Sequence, residues 1–327
     1  MNLRNLLVKL VAILIVFIVF FALGELLIRI YLNYNTAYDI EMTKYAMNLK
    51  NDSDNELIGH MHKPNKSMKL MNVMVDINSD GLRDGEYPVS KSDKYRIVVL
   101  GDSLTFGWGV PEEETFATIL EEDLNSRYPT EIINFGTGNY NTEQEVNLFI
   151  EKGLKYNPDK VVLFYFINDA EITPQKSDLW FLGYSHFISF YWSRINSLLN
   201  NFFPSKSFKE YYESLYDEDQ EGWANSRKAI IQLRDICQSK EIQFQVVLLP
   251  ELHDVNNEIF TNVYNKLSLF LEENNIDYLN LAKLFENHPN QLELWVSYDD
   301  AHPNDIAHRK IAESTIDFIS VKGGNSV

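Results

Sequence analysis

The sequence predicts an α/β fold in which a parallel sheet is covered by helices on both faces. From Tyr95 onward, short apolar runs typical of buried strands alternate with longer amphipathic segments typical of helices. The run 160–167 is apolar on both faces, as expected for a central strand. Strand-helix alternation of this kind implies parallel strands with crossover helices packed on the two faces.

The predicted elements follow one another in a regular order. Phe116, Ile119 and Leu120 recur at helical spacing and illustrate the pattern. Residues 33–94, ahead of the first strand, are polar and irregular and are predicted to form a stalk and lead-in. The predicted strands are 96–100, 131–135, 160–167, 244–250 and 278–281, and the predicted helices are 115–127, 142–155, 223–239, 258–273 and 303–319.

One segment, 171–223, interrupts the alternation between the third strand and the helix that begins at Trp223. From Trp180 to Trp223, 14 of 44 residues are aromatic, against 13% for the whole chain. A connection of this length in a compact domain usually has its own structure or a function. Two interpretations remain open. The segment is a helical insertion packed on the sheet, or a lid that offers aromatic faces to sugar or acyl groups.

Composition restricts the class of function. The chain has 327 residues, 45% of them hydrophobic, which is enough for a sizeable core. Its net charge of −18 argues against nucleic acid as a partner and disfavours a strongly anionic substrate. Cys237 is the single cysteine, so no intramolecular disulfide forms, and it is interpreted as a small buried apolar residue.

The N-terminal segment, 1–32, carries a membrane or export signal. Leu10 to Gly24 contains no charged residue, and Arg4 and Lys9 precede it. Basic residues ahead of an apolar run favour an inside N-terminus and a chain that lies outside. An uncleaved anchor is favoured because the apolar character continues past Gly24, and a cleaved signal peptide is the alternative. Both place the rest of the chain in the periplasm or on the outer face of the membrane.

A serine follows the first predicted strand, at the edge of the sheet where active sites of open α/β folds usually lie. Gly101-Asp102-Ser103-Leu104 comes directly after 96–100, and carboxyl ends of strands form the ligand-binding edge of open α/β sheets. A serine hydroxyl needs a histidine base and a carboxylate that orients the histidine. His302 with Asp299, three residues earlier, fits these roles on a loop that enters a helix. Asp300 is the competing carboxylate and is interpreted as a helix-start or solvent residue.

Donors for an oxyanion are expected at the same edge. Acyl transfer needs N–H groups that stabilise the negative oxygen of the tetrahedral intermediate. The backbone N–H of Ser103, the glycine-containing loop 134–139 and the amide of Asn168 each follow a predicted strand. No metal or organic cofactor is implied, and His60 and His62 are interpreted as solvated side chains.

Four short stretches that carry the serine, the oxyanion donors and the histidine resemble, in this order, the conserved blocks of the SGNH (GDSL-type) hydrolase family. The resemblance covers residues 95–320. It implies a three-layer α/β/α sandwich with a five-stranded parallel sheet in flavodoxin-like order, and a hydrolase domain at 95–327. The stretch 101–110 is also similar to membrane-anchored members found with bacterial polysaccharide biosynthesis and O-acetylation. The four blocks are 101–104, 134–139, 168–169 and 299–302.

The resemblance assigns roles by position. Ser103 would be the nucleophile and an oxyanion donor, and His302 the base, oriented by Asp299. Asn168 would donate its side-chain amide to the oxyanion. Asn139 stands where the family has a glycine, and asparagine tolerates the left-handed backbone that a glycine there provides.

The expected protein is an exported, membrane-tethered serine esterase. Its expected substrate is an O-acyl, in particular O-acetyl, ester on a cell-surface or extracellular glycan. The expected partners are that glycan, the membrane through residues 3–32, and polysaccharide-biosynthesis proteins. Three alternatives stay open: a polysaccharide O-acetyltransferase with the same triad, a lysophospholipase, and a non-catalytic glycan-binding protein.

Overall fold

The computed structural model describes most of the chain as two units. One unit contains the described residues of 1–47 and 176–205, and the other those of 48–175 and 206–327. Parts of the predicted insertion, at 173–184 and 203–206, and the predicted helix start at Glu258 lie outside the described residues. The described ranges are 3–32, 34–91, 93–172, 185–202, 207–253, 255 and 259–321, without the side chains of 193 and 196–202.

Helices and strands alternate through the larger unit as the sequence predicts. The α-helices are α1 (Leu3–Leu32), α2 (Tyr38–Leu49), α3 (Ser103–Phe106), α4 (Phe116–Asn125), α5 (Thr142–Leu148), α6 (His186–Phe202), α7 (Phe208–Leu215), α8 (Glu221–Ser239), α9 (Thr261–Glu273) and α10 (Asp305–Ile319). The strands are β1 (Lys50–Asp52), β2 (His60–His62), β3 (Lys66–Leu70), β4 (Val73–Ile77), β5 (Tyr95–Leu100), β6 (Thr130–Asn134), β7 (Lys160–Tyr165), β8 (Gln243–Leu248), β9 (Asp277–Asn280), β10 (Trp295–Ser297) and β11 (Asp300–Pro303).

The smaller unit is built around α1. Among the described residues, α1 is the one helix long and apolar enough to cross a membrane, a property that N-terminal signal sequences share. The ring of Phe187, from α6, lies 5.5 Å from the ring of Phe21. The Glu25 carboxylate accepts the Phe187 N–H at 3.0 Å and the Ser185 hydroxyl at 2.8 Å. The first described part of the aromatic insertion therefore packs on the N-terminal helix, which neither interpretation of the sequence anticipated.

The main sheet has five parallel strands in the order β6-β5-β7-β8-β9. This is the predicted flavodoxin-like order. On one face of the sheet, Val146, Leu233 and Leu267 from α5, α8 and α9 belong to one buried cluster. On the other face, Leu120 of α4 and Ile311 of α10 belong to a second cluster. Helices thus cover both faces, and the predicted three-layer α/β/α sandwich is confirmed.

Two predicted helices have different bounds. The helix expected over 142–155 is α-helical only to Leu148 and continues as a π-helical turn, Phe149–Gly153, and a 3-10 turn, Leu154–Tyr156. The last helix begins at Asp305 instead of Pro303, because Pro303 ends strand β11. The Asn304 side chain accepts the Ala307 N–H at 3.2 Å and caps this helix.

The lead-in from residue 48 onward packs within the larger unit. Arg83 is buried, and its guanidinium donates to the carbonyl oxygens of Phe106 at 3.0 Å, Gly107 at 2.5 Å and Val110 at 2.7 Å. These carbonyls follow the Ser103 turn, so the lead-in fixes the backbone behind the candidate nucleophile. The two hairpins β1-β2 and β3-β4 are also part of this segment.

Candidate active site

Ser103 sits on a tight turn at the carboxyl end of strand β5, between β6 and β7 in the sheet. Strand β5 ends at Leu100, and α3 begins at Ser103 itself. The Asp102 carboxylate caps α3 by accepting the Leu104 N–H at 2.9 Å. This cap fixes the first turn, so the Ser103 hydroxyl and its backbone N–H are held at the edge of the sheet, with the residue 6% exposed.

Ser103, His302 and Asp300 form one chain of hydrogen bonds. The Ser103 hydroxyl lies 2.8 Å from Nε2 of His302, although the two residues are 199 positions apart. On the other side of the imidazole, Nδ1 lies 2.5 Å from Oδ1 of Asp300. Since the carboxylate accepts the Nδ1 proton, Nε2 is left without one and faces the serine. The arrangement suits a nucleophile, a general base and an orienting carboxylate.

The carboxylate in this array is Asp300, so the assignment of Asp299 was wrong. Asp299 is exposed, and its Oδ1 accepts the Ser297 hydroxyl at 2.6 Å. The prediction assumed a loop that enters a helix, where residues three apart meet. The structure instead has strand β11 there, and side chains two apart lie on the same side of a strand. Asp300 and His302 therefore face the same way.

Trp108 is a further hydrogen-bond donor to Asp300, and this contact was not predicted from the sequence. Its indole N–H donates to Oδ2 of Asp300 at 2.8 Å, and both residues are buried. Burial alone would raise the pKa of the Asp300 carboxyl. The charge of His302 and the hydrogen bonds from His302 and Trp108 nevertheless hold it below its ordinary value. Trp108 lies in the stretch 101–110, but nothing local indicates a contact 192 residues away.

Asn168 lies beside the nucleophile and is held by Asp102. Its Nδ2 donates to Oδ2 of Asp102 at 3.0 Å, and it belongs to the 3-10 turn Ile167–Ala170 that follows β7. A side-chain amide has two N–H donors, so the second remains for a ligand oxygen. Burial raises the pKa of Asp102, and hydrogen bonds from Leu104, Asn168 and Ser103 oppose this rise.

Asn139 has the left-handed backbone expected at its position, with φ of +64°. Its loop is joined to the nucleophile turn because the Thr137 N–H donates to the Gly101 carbonyl at 3.0 Å. Gly136 makes the close approach possible, since a Cβ there would lie 2.2 Å from the Phe106 nitrogen. The loop 136–139 thus reaches the same edge of the sheet as Ser103.

Lys50 also contacts this loop, and no sequence pattern indicated this contact. The Lys50 amine donates to the Gly138 carbonyl at 2.5 Å and to Oδ1 of Asn139 at 3.3 Å. His60, on the paired strand β2, places Nε2 3.4 Å from the same carbonyl. Burial lowers the pKa of His60 to about 3, so the ring is neutral at neutral pH.

Two buried carboxyl groups lie behind the site. Glu145 and Asp169 are each 1% exposed, and the Thr142 hydroxyl donates to Oδ2 of Asp169 at 3.2 Å. Burial and the charges of neighbouring carboxylates, including Asp102, raise the pKa of both Glu145 and Asp169 well above the ordinary range. Within the described ranges, no group of three or more His, Cys, Asp or Glu side chains is arranged to hold a metal ion.

The fold and this array define a serine hydrolase on a doubly wound α/β sheet. Residues 99–310 match the model of the GDSL-like lipase/acylhydrolase family. The chain belongs to this family and is a serine ester hydrolase. None of the curated proteins matches the chain.

Several solved structures are similar in fold. A lipolytic protein of the G-D-S-L family from Desulfitobacterium hafniense DCB-2 is 17% identical, with a TM-score of 0.44, over 69% of this chain and 100% of that one. The acetyl xylan esterase AlAXEase is 20% identical, with a TM-score of 0.44, over 69% and 100%. A lipase/acylhydrolase from Enterococcus faecalis is 14% identical, with a TM-score of 0.42, over 70% and 99%.

Proposed function

We propose that this chain is an exported, membrane-tethered esterase that removes O-acyl groups, in particular O-acetyl groups, from a cell-surface or extracellular glycan. The observation that carries the catalytic part is the unbroken hydrogen-bonded chain from Ser103 through His302 to Asp300. Both Asp300 oxygens accept hydrogen bonds, Oδ2 from the Trp108 indole and Oδ1 from the His302 backbone N–H. These bonds support the same roles, because they keep the carboxylate ionised beside the imidazole.

The reaction proceeds in two halves. The Ser103 Oγ attacks the ester carbonyl carbon while Nε2 of His302 takes its proton, and Asp300 stabilises the imidazolium. The C–O bond to the sugar then breaks, and His302 returns the proton to the departing sugar hydroxyl. Water attacks the resulting acyl-serine in the same manner and releases the carboxylic acid and free Ser103.

The oxyanion in each half-reaction is held by N–H donors at the edge of the sheet. The backbone N–H of Ser103, the backbone N–H of Asn139 and the second Nδ2 hydrogen of Asn168 are the proposed donors. The bond from Asn168 to Asp102 supports this role, because it fixes the plane of the amide before substrate binds. The left-handed backbone of Asn139 supports the same role for its N–H.

The enclosure and charge of the protein support the substrate class. Ser103 is 6% exposed, and Trp108 packs with its ring centre 6.2 Å from that of His302, which favours a small acyl group over a long chain. A net charge of −18 favours an uncharged glycan over a polyanionic one.

The proposed location depends on α1. It has 30 residues, and Arg4 and Lys9 near its start favour an inside N-terminus. An anchored helix of this orientation places the hydrolase unit outside the cytoplasmic membrane, where acylated surface glycans are exposed.

The test uses full-length protein in detergent. One assay measures hydrolysis of aryl esters whose acyl chains have two to twelve carbons. A second assay offers an O-acetylated glycan together with an unacetylated acceptor glycan. We expect acetate release, a preference for acetyl over long chains, and loss of activity in Ser103→Ala. Acetyl transfer to the acceptor without net hydrolysis identifies an acetyltransferase instead. A preference for long chains identifies a lysophospholipase, and glycan binding with no Ser103-dependent turnover identifies a binding protein.

A further inference from the structure

The amide that joins Gly138 to Asn139 has two ends with different partners. The carbonyl oxygen of Gly138 and the N–H of Asn139 belong to the same planar, conjugated peptide group. The N–H end is a proposed oxyanion donor. The oxygen end accepts from the Lys50 amine at 2.5 Å. A cation that holds one end of a conjugated amide affects the donor strength of the other end.

Lys50 is held against this loop by its own hairpin. It begins β1 and pairs with His62 of β2. The Tyr140 hydroxyl donates to the backbone carbonyl of His60, and the two rings pack 4.9 Å apart. The Gln144 side chain donates to the Ile58 carbonyl at 2.9 Å. The hairpin is thus attached to the segment after Asn139 at two further points, which fixes the position of the Lys50 amine.

We propose that Lys50 is a positioning residue that orients and polarises the Gly138–Asn139 amide, so that the Asn139 N–H binds the oxyanion more strongly. This inference rests on the proposed esterase reaction. An ammonium group on the carbonyl oxygen draws electron density from the peptide nitrogen and makes its hydrogen a stronger donor. The contact of the same amine with Oδ1 of Asn139, at 3.3 Å, also holds that residue in its left-handed conformation. In this role Lys50 acts through the amide and not on the substrate.

The charge of Lys50 gives this role a pH signature. Burial lowers the pKa of the Lys50 amine well below that of an ordinary lysine. The titratable groups on the paired strands of its hairpin include Asp52, His60 and His62, and the Tyr140 ring packs on the His60 ring. His60 and His62 both have a pKa of about 3 and stay neutral above it. Loss of the Lys50 proton removes the cation from the amide, so kcat falls as pH rises through that lowered pKa.

The experiment compares full-length K50M, K50R and the matched control K69M in detergent. Lys69 is exposed on hairpin strand β3, away from the loop. We measure kcat and KM for an aryl acetate, the Kd of phenylboronic acid, which forms a tetrahedral adduct on serine, and the thermal midpoint. We expect K50M to lower kcat by about 10- to 50-fold, less than the loss of a whole oxyanion donor. The Kd for the boronic acid rises in proportion, and KM is nearly unchanged.

Arginine keeps its charge at all accessible pH values. We therefore expect K50R to keep most of the activity and to lack the fall in kcat that deprotonation of Lys50 causes in the wild type as pH rises. K69M behaves as wild type. The inference is overturned if K50M stays within twofold of wild-type kcat, or if K50R shows the same fall in kcat with rising pH as the wild type. If K50M does not fold, the pH profile of kcat for K50R is sufficient to test the inference.

Failure of the esterase reaction is seen separately. Ser103→Ala that retains full activity contradicts the proposed function. Ser103→Ala that is inactive, beside a fully active K50M, contradicts only the role of Lys50.

Discussion

Asp300 and His302 lie two residues apart on strand β11, with Oδ1 and Nδ1 2.5 Å apart. The same carboxylate oxygen also accepts the His302 backbone N–H at 3.1 Å. The strand conformation therefore sets the orientation of the imidazole, because residues i and i+2 share a face. The contacts of this pair with Ser103 and with Trp108, 199 and 192 residues away, depend on the tertiary fold.

The first prediction separates the two adjacent aspartates. Asp300→Asn removes the carboxylate that orients His302, and we expect kcat for an aryl acetate to fall about 10³- to 10⁴-fold. Asp299→Asn is the matched control and should stay within about twofold, because Asp299 bonds only to Ser297 in the part of the chain that the structure describes. A larger loss in Asp299→Asn than in Asp300→Asn contradicts the geometry.

The second prediction concerns the donor on the other side of Asp300. Trp108→Phe keeps an aromatic ring but leaves Oδ2 of a buried carboxylate without its N–H donor, at a cost of about 1–3 kcal/mol in the free energy of unfolding. Trp223→Phe is the control, since its indole nitrogen is buried without a hydrogen-bond partner among the described residues. Urea unfolding at pH 7 measures the free energy of unfolding of both variants and of the wild type.

The difference in the free energy of unfolding between the wild type and Trp108→Phe depends on pH because the pKa of Asp300 is lowered. A carboxyl whose folded pKa lies below its unfolded value contributes stability above the unfolded pKa, and this is lost as pH falls through the folded pKa. Trp108→Phe removes part of this contribution. We therefore expect the gap between wild type and variant to narrow below pH 4, and an unchanged gap would argue against the Asp300 contact as its cause.

The third prediction tests the oxyanion site. Asn168→Ala removes a side-chain donor, and we expect kcat to fall by about 10²-fold or more with little change in KM. Asn147→Ala, which removes an amide bonded to the Glu143 carbonyl on α5, is the control. A loss of less than tenfold in Asn168→Ala would mean that the oxyanion is bound elsewhere.

The fourth prediction concerns the buried Glu145. Its pKa is raised by burial and by the charge of Asp102, so the folded state holds a proton that the unfolded chain releases more easily. The free energy of unfolding therefore declines as pH rises from the ordinary pKa of a glutamic acid toward the raised one. We expect Glu145→Gln to be as stable as wild type at pH 4 and more stable at pH 7. A variant that is less stable at both pH values contradicts this.

Sequence patterns located the strands of the sheet and the pairing of Ser103 with His302, because these depend on short local patterns, whereas the strand order was implied by the family resemblance. A buried strand followed by Ser103, and a histidine ahead of the last helix, are visible in short windows. The choice between Asp299 and Asp300 failed because it depends on whether 300–303 is a strand or a loop. That strand exists only through pairing with β10, which apolar periodicity does not show.

Other parts of the site were beyond sequence reasoning for a different reason. Trp108 and Lys50 act through contacts 192 and 88 residues away, with Asp300 and Gly138. Neither residue stands out in its own segment, since a tryptophan in a turn and a lysine in a polar lead-in are ordinary. Only the folded arrangement shows that one holds the orienting carboxylate and the other the oxyanion loop.

The most direct test of the account is to label the full-length protein with a fluorophosphonate and locate the adduct by peptide mass spectrometry. We expect a single adduct on Ser103, formed rapidly in the wild type and in Asp299→Asn, and very slowly in Asp300→Asn and His302→Ala. An adduct on another residue, or labelling of Ser103 at an undiminished rate in His302→Ala, would contradict the proton-transfer chain on which the proposed reaction depends.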